Sequence, residues 1–158
     1  MYVMNILVLG IGQSLRGDDA AGLEAVRLWQ EKFPETAVGA RVETSELPGL
    51  VLLDLLEGME AAVIVDAIQS KAPAGTVMRL GSEELASFMP ETGFTHGWGI
   101  AETLQLGHSL YQGLASCRAI LIGIVGGQFD LGAGFSPEVE KALPKAAEMI
   151  ESEIRKLI

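Results

Sequence analysis

The chain has 158 residues, 49% of them hydrophobic and 20% charged, too apolar for a disordered chain and ordinary for a compact α/β unit. Eleven Lys and Arg against twenty-one Asp and Glu leave a formal charge of -10, which repels a phosphate backbone and excludes nucleic acid as a partner. The single cysteine, Cys117, excludes an internal disulfide, the opening MYVMNILVLG lacks the basic segment and cleavage site of a signal peptide, and no apolar run is long enough to span a bilayer.

These bounds predict one domain over residues 1–158, cytoplasmic, monomeric and working away from membranes. In chain order, NILVLG reads as a buried strand. Gly22, Val26, Trp29 and Phe33 then recur at helical spacing until Pro34 stops the helix. ARVETSEL alternates like a half-exposed strand, PGLVLLDLLEG is a short helix between Pro48 and Gly58, and AAVIVDA is a second buried strand. A short strand GTVMRL and a helical turn near SEELASF follow. The irregular loop GFTHGWG opens a helix running to about Leu114. AILIGIVGG is the last central strand.

Ser136 and Pro137 stand where an N-cap and first helical residue belong, and Val139, Leu143, Ile150, Ile154 and Leu157 form the inward stripe of a terminal helix that Pro144 should kink. Alternating strands and helices predict an α/β fold, a largely parallel twisted sheet of about five strands with helices on both faces. Such sheets bind ligands beyond the carboxyl ends of their strands.

At that edge lies GIGQSLRGDDAAG, residues 10–22. A strand feeding a glycine turn that opens a helix suits a phosphate. The spacing does not: Gly10 and Gly12 are followed only by Gly17, and the Gly-Lys-Ser/Thr ending of a P-loop is absent. Asp18 and Asp19 also oppose an anion there. One aspartate is accounted for as a helix cap; the other is a candidate oxygen ligand or general base.

Asp66, placed directly after five apolar strand residues, brings a second carboxylate to the same edge. His96, flanked by glycine and a helix start, brings an imidazole. His108 is twelve positions further along the same helix, about 120° around and 18 Å away, and its place on the apolar stripe between Leu104 and Tyr111 suits packing rather than ligation. Two carboxylates and one imidazole from three loops suit a divalent transition ion such as Ni²⁺ or Zn²⁺ with coordination positions left open. Cys117, at the entry to a strand and on the opposite edge, is a poor nucleophile candidate. No G-x-S-x-G elbow surrounds Ser14, Ser45 or Ser109.

The blocks LVLGIGQSLRGDDAAG, VIVDA, THGWG and GAGFSPEVEKAL, in this order over nearly the whole chain, resemble the hydrogenase maturation proteases. The resemblance implies an α/β endopeptidase that removes the C-terminal peptide of a nickel-iron hydrogenase large-subunit precursor after nickel insertion. By similarity, Asp19, Asp66 and His96 are the catalytic and metal-binding residues. The resemblance also implies that nickel is supplied by the substrate, with other divalent transition metals able to substitute, while Asp18 caps and orients the helix. Gln13 stands where the family usually has asparagine, and GIVGGQ lacks a proline common after the fifth strand; both bear on which hydrogenase is served. Two other classes use similar parts: a nickel metallochaperone with the same ligands and no hydrolytic activity, and a metal-independent small-anion hydrolase or phosphorylase.

Overall fold

The computed structural model describes residues 2–46, 51–81, 84 and 117–158. In chain order they form β1 (Ile6–Ile11), a 3-10 turn (Gly17–Ala20), α1 (Ala21–Lys32), the short α2 (Pro34–Ala37), β2 (Arg41–Ser45), α3 (Val51–Leu56), β3 (Ala61–Ile68), β4 (Val77–Leu80), β5 (Arg118–Val125) and a terminal helix, α4 (Pro137–Arg155). The sheet order is β2-β1-β3-β5-β4. All pairings are parallel except β4 with β5. The fold is therefore the predicted α/β class, with an antiparallel edge strand.

Every residue of β1 and β3 is buried, which is why both read as unbroken apolar runs: their side chains alternate between two covered faces. Ile6, Val8, Val63, Val65, Ile122 and Ile124 meet α1 and α4 through Val26, Trp29, Val139, Leu143 and Ile150. Leu7, Leu9, Ile11, Ala62, Ile64 and Leu121 meet α3 through Leu52, Leu53 and Leu56. The edge strand β2 is only partly buried, as its alternating sequence requires.

Two prolines stand at or inside helices. Pro34 ends α1 only to open α2, where its fixed φ and missing N–H suit a first helical position. Pro144 stays inside one continuous helix from Pro137 to Arg155. The Ser136 cap is as expected, its side chain accepting a hydrogen bond from the Val139 amide. The turn near SEELASF, apart from Glu84, and the helix after His96 lie outside the described residues. Among the described residues no helix is long and apolar enough to cross a membrane.

Gly22 sets how closely α1 approaches the sheet. A methyl group there would be driven into the carbonyl oxygens of Val65 and Ile11, so only glycine lets the first turn of α1 lie directly against β1 and β3.

Glu151 fastens α4 to α1 and α2 from inside the core, at 5% exposure. Its carboxylate accepts from the Trp29 indole N–H at 2.9 Å, the Thr36 hydroxyl at 2.8 Å and Arg155 Nε at 2.6 Å. Burial pushes its pKa up, but these three donors outweigh burial and hold it below the ordinary glutamate range. Glu153 is likewise pushed up by burial and held lower overall by Arg79 and Lys156.

A carboxylate with a depressed folded-state pKa stabilises fully above its unfolded value and loses that contribution as pH falls through the folded value. Urea denaturation of wild type and Glu151→Gln should therefore show a stability advantage for wild type that is constant above about pH 5 and shrinks below it. Parallel curves down to pH 3 would contradict the assignment.

Candidate functional site

The carboxyl ends of β1, β3 and β5 lie on one edge of the sheet because the three strands are parallel. In the order β2-β1-β3-β5-β4 the chain leaves β1 toward β2 and leaves β3 toward the other side, so the β1/β3 junction is the topological switch point where such sheets open a crevice. Gly12 N donates to Ser45 O at 3.1 Å and Gly126 N to Ile68 O at 3.0 Å, continuing the pairing past the strand ends. The segments after β1, β3 and β5 are thus neighbours at this edge.

Asp66 does not follow its strand, as the sequence suggested; it lies inside β3 and is fully buried. The reason is unequal pairing. The β1–β3 register runs from Ile6–Ala61 to Gly10–Val65, whereas β3–β5 continues through Asp66–Gly123 to Ile68–Val125. Asp66 is therefore the first residue beyond the β1–β3 pairing, at the crevice, although its strand goes on. It shares sheet parity with Ala62 and Ile64, which face α3.

Asp19 is in the 3-10 turn between β1 and α1, at 3% exposure, and this turn packs against β3. The structure therefore brings the elements carrying Asp19 and Asp66 together. His96, the third expected member, and His108 lie outside the described residues. Among the described residues no three His, Cys, Asp or Glu side chains form a metal-binding group. Two buried carboxylates on touching elements offer oxygen donors of the kind a divalent cation takes.

Neither aspartate stands at an N-cap position: Arg16 takes it for the 3-10 turn and Ala20 for α1, and neither of those residues makes a side-chain cap bond. Asp18 instead reaches across the sheet edge. Its Oδ2 accepts from the amides of Gly127 at 2.8 Å and Gln128 at 3.0 Å and from the Ser136 hydroxyl at 2.8 Å, while Oδ1 accepts from the Ser136 amide at 2.7 Å. Its own amide donates to Gln128 O at 2.7 Å. Gly17, at φ +56°, makes the approach possible, since a side chain there would collide with Gln128 O and the left-handed backbone disfavours any other residue. Sequence reasoning missed these partners because they are 109 to 118 residues away; only the Ser136 cap hinted that something polar met the start of α4.

The phosphate reading of the opening loop fails on the same geometry. Asp18 and Asp19 are both buried beside the start of α1, so an anion there would be brought against two carboxylates. Cys117 immediately precedes β5 and so lies at the amino edge of the parallel sheet, opposite the aspartates. Burial pushes its thiol up to about 11, far from the thiolate a nucleophile needs.

The family model described as hydrogenase maturation protease, HycI, matches residues 47–153. The chain is 28% identical over 155 residues to the hydrogenase 2 maturation protease of Escherichia coli, spanning 96% of this chain and 92% of that protein. Among solved structures it resembles the NiFe hydrogenase maturation protease HybD from Thermococcus kodakarensis, with a TM-score of 0.73 and 32% identity over 96% of this chain and 99% of the other. It also resembles the hydrogenase maturating endopeptidase HybD from E. coli, with a TM-score of 0.80 and 26% identity over 97% and 93%.

A buried, protonated Cys117 should be shielded from thiol reagents. At pH 8 an aromatic disulfide reagent should label the urea-unfolded chain at least about 100-fold faster than the folded protein. Equal rates would show an accessible thiolate and reopen the case for a cysteine nucleophile.

Proposed function

The chain belongs to the hydrogenase maturation protease family and is a peptidase, and from that premise we propose that it removes the C-terminal peptide of a nickel-iron hydrogenase large-subunit precursor once nickel has been inserted. The observation that carries this reading is that the turn bearing Asp19 packs, at the β1/β3 switch point, against the strand bearing Asp66, both aspartates being buried. Buried carboxylates offer oxygen donors of the kind a divalent ion takes, and a metal centre inside the substrate is such an ion.

In this reading Asp19, Asp66 and His96 recognise nickel that arrives as part of the substrate. Bound beside a peptide carbonyl, a divalent transition ion polarises it toward attack by water. The protein's share is to hold the precursor so that one peptide bond lies against this edge, and to keep oxygen and nitrogen donors in place for the ion. Asp19, at the end of a glycine-rich turn, and Asp66, inside a strand paired on its β5 side, are fixed by backbone structure before substrate arrives. Such preorganisation lowers the barrier because orientation is settled in advance. The reading includes action in the cytoplasm as a monomer. Family membership favours hydrolysis over metal carriage alone, and the buried aspartates disfavour a small-anion substrate.

Incubation of the protein with nickel-loaded precursor, read by mass spectrometry, should show loss of one C-terminal peptide. Asp19→Asn, Asp66→Asn and His96→Ala should each slow that loss by at least about 100-fold. Asp66→Asn keeps the side-chain volume in the buried strand, so its melting temperature should report any loss of fold separately. His108→Gln should process normally. Wild-type rates in all three site variants would sink the assignment.

A further inference from the structure

Among the described residues, one polar network at the sheet edge belongs to a residue with no place in the chemistry just described. Asp18 is fully buried, and its carboxylate takes four hydrogen bonds, all from the segment that joins β5 to α4. It is also the residue immediately before Asp19, inside the same four-residue 3-10 turn.

Inside the turn the Asp19 amide donates to Arg16 O at 3.1 Å and the Ala21 amide to Asp18 O. The segment between β5 and α4 adds a second set of bonds: the Asp18 amide on Gln128 O at 2.7 Å, the Gly132 amide on Leu15 O at 2.7 Å, and the four bonds to the Asp18 carboxylate. Ser136 links the two ends of this fastening. Its hydroxyl accepts from the Val139 amide at 3.4 Å, capping α4, and donates to Asp18 Oδ2 at 2.8 Å.

We propose that Asp18 is a positioning residue for peptide cleavage: it locks the turn that carries Asp19 to the start of α4, and so holds the Asp19 carboxylate where the substrate's metal must meet it. The proposal rests on the reading of Asp19 as a working carboxylate. Asparagine at this position would keep the volume but lose the function. One face of the Asp18 carboxylate meets three donors and the other meets the Ser136 amide, so an amide NH₂ on either face would confront an N–H or O–H with no acceptor between them. The turn would then shift, and a displacement of the order of 1 Å at a reacting group costs as much as about 100-fold in rate.

The test measures steady-state cleavage of nickel-loaded precursor by full-length Asp18→Asn, Ser136→Ala and Asp19→Asn, with circular dichroism to count folded molecules. Asp18→Asn should lower kcat per folded molecule by roughly 10- to 100-fold and leave KM nearly unchanged. Ser136→Ala, which removes one of the four bonds, should lower kcat by less. A merely structural residue would lower the melting temperature alone, so wild-type kcat per folded molecule in Asp18→Asn, or a loss confined to KM, overturns the proposal. If Asp18→Asn does not fold, Ser136→Ala decides on the same criterion. Asp19→Asn separates the two layers: inactive Asp19→Asn beside fully active Asp18→Asn and Ser136→Ala sinks the positioning role alone, whereas active Asp19→Asn sinks both.

Discussion

The parallel pairing of β1 with β3 is the constraint on which the rest of the site depends. Both strands are buried along their whole length, and burial on two faces fixes their register, since a slip of one residue would send every side chain to the opposite layer. Their carboxyl ends then share an edge, and the turn after β1 has to fall beside the last residues of β3. The pairing stops at Gly10–Val65 while β3 continues along β5, so β3 runs on past the end of β1. Asp66 is the first residue past that point, and the Asp19 turn packs against the same strand.

This geometry explains why the opening loop resembles a phosphate cradle without being one. Glycine at position 22 serves the close approach of α1 to the carbonyls of Ile11 and Val65, and Gly17 turns the chain so that Asp18 can reach Gln128 and Ser136. In a nucleotide site glycines clear room for an anion at a helix start. Here the freed space is filled by protein backbone, and the charge brought to the edge is negative. An acidic, preformed edge suits a positively charged metal centre carried by another protein better than a free anion.

Much of the fold was legible because burial on both faces imposes continuous apolar runs, as in NILVLG and AAVIVDA, and because Ser136-Pro137 carries its own helix-start chemistry. The antiparallel sense of β4 and the helix opened by Pro34 were not legible: each depends on what the segment packs against rather than on its own residues. For the site, the placing of Asp19 and Asp66 at one sheet edge could be read from the strand–loop–helix rhythm. The position of Asp66 within its strand could not, because strand length beyond β1 is decided by pairing with β5. Nor could the partners of Asp18, which no local spacing encodes. His96 rests on its motif alone, since it lies outside the described residues.

Recognition of the metal and timing of cleavage become one event if the aspartate edge meets nickel only inside the precursor. In the proposed reading, Asp19, Asp66 and His96 would leave coordination positions vacant for groups of the substrate. The most direct measurement is the intact mass of nickel-loaded and nickel-free precursor after incubation with equal amounts of this protein. Loss of the C-terminal peptide from the nickel-loaded form alone is the predicted result. Equal cleavage of both forms would contradict metal-gated processing, and no cleavage of either would contradict the proposed substrate.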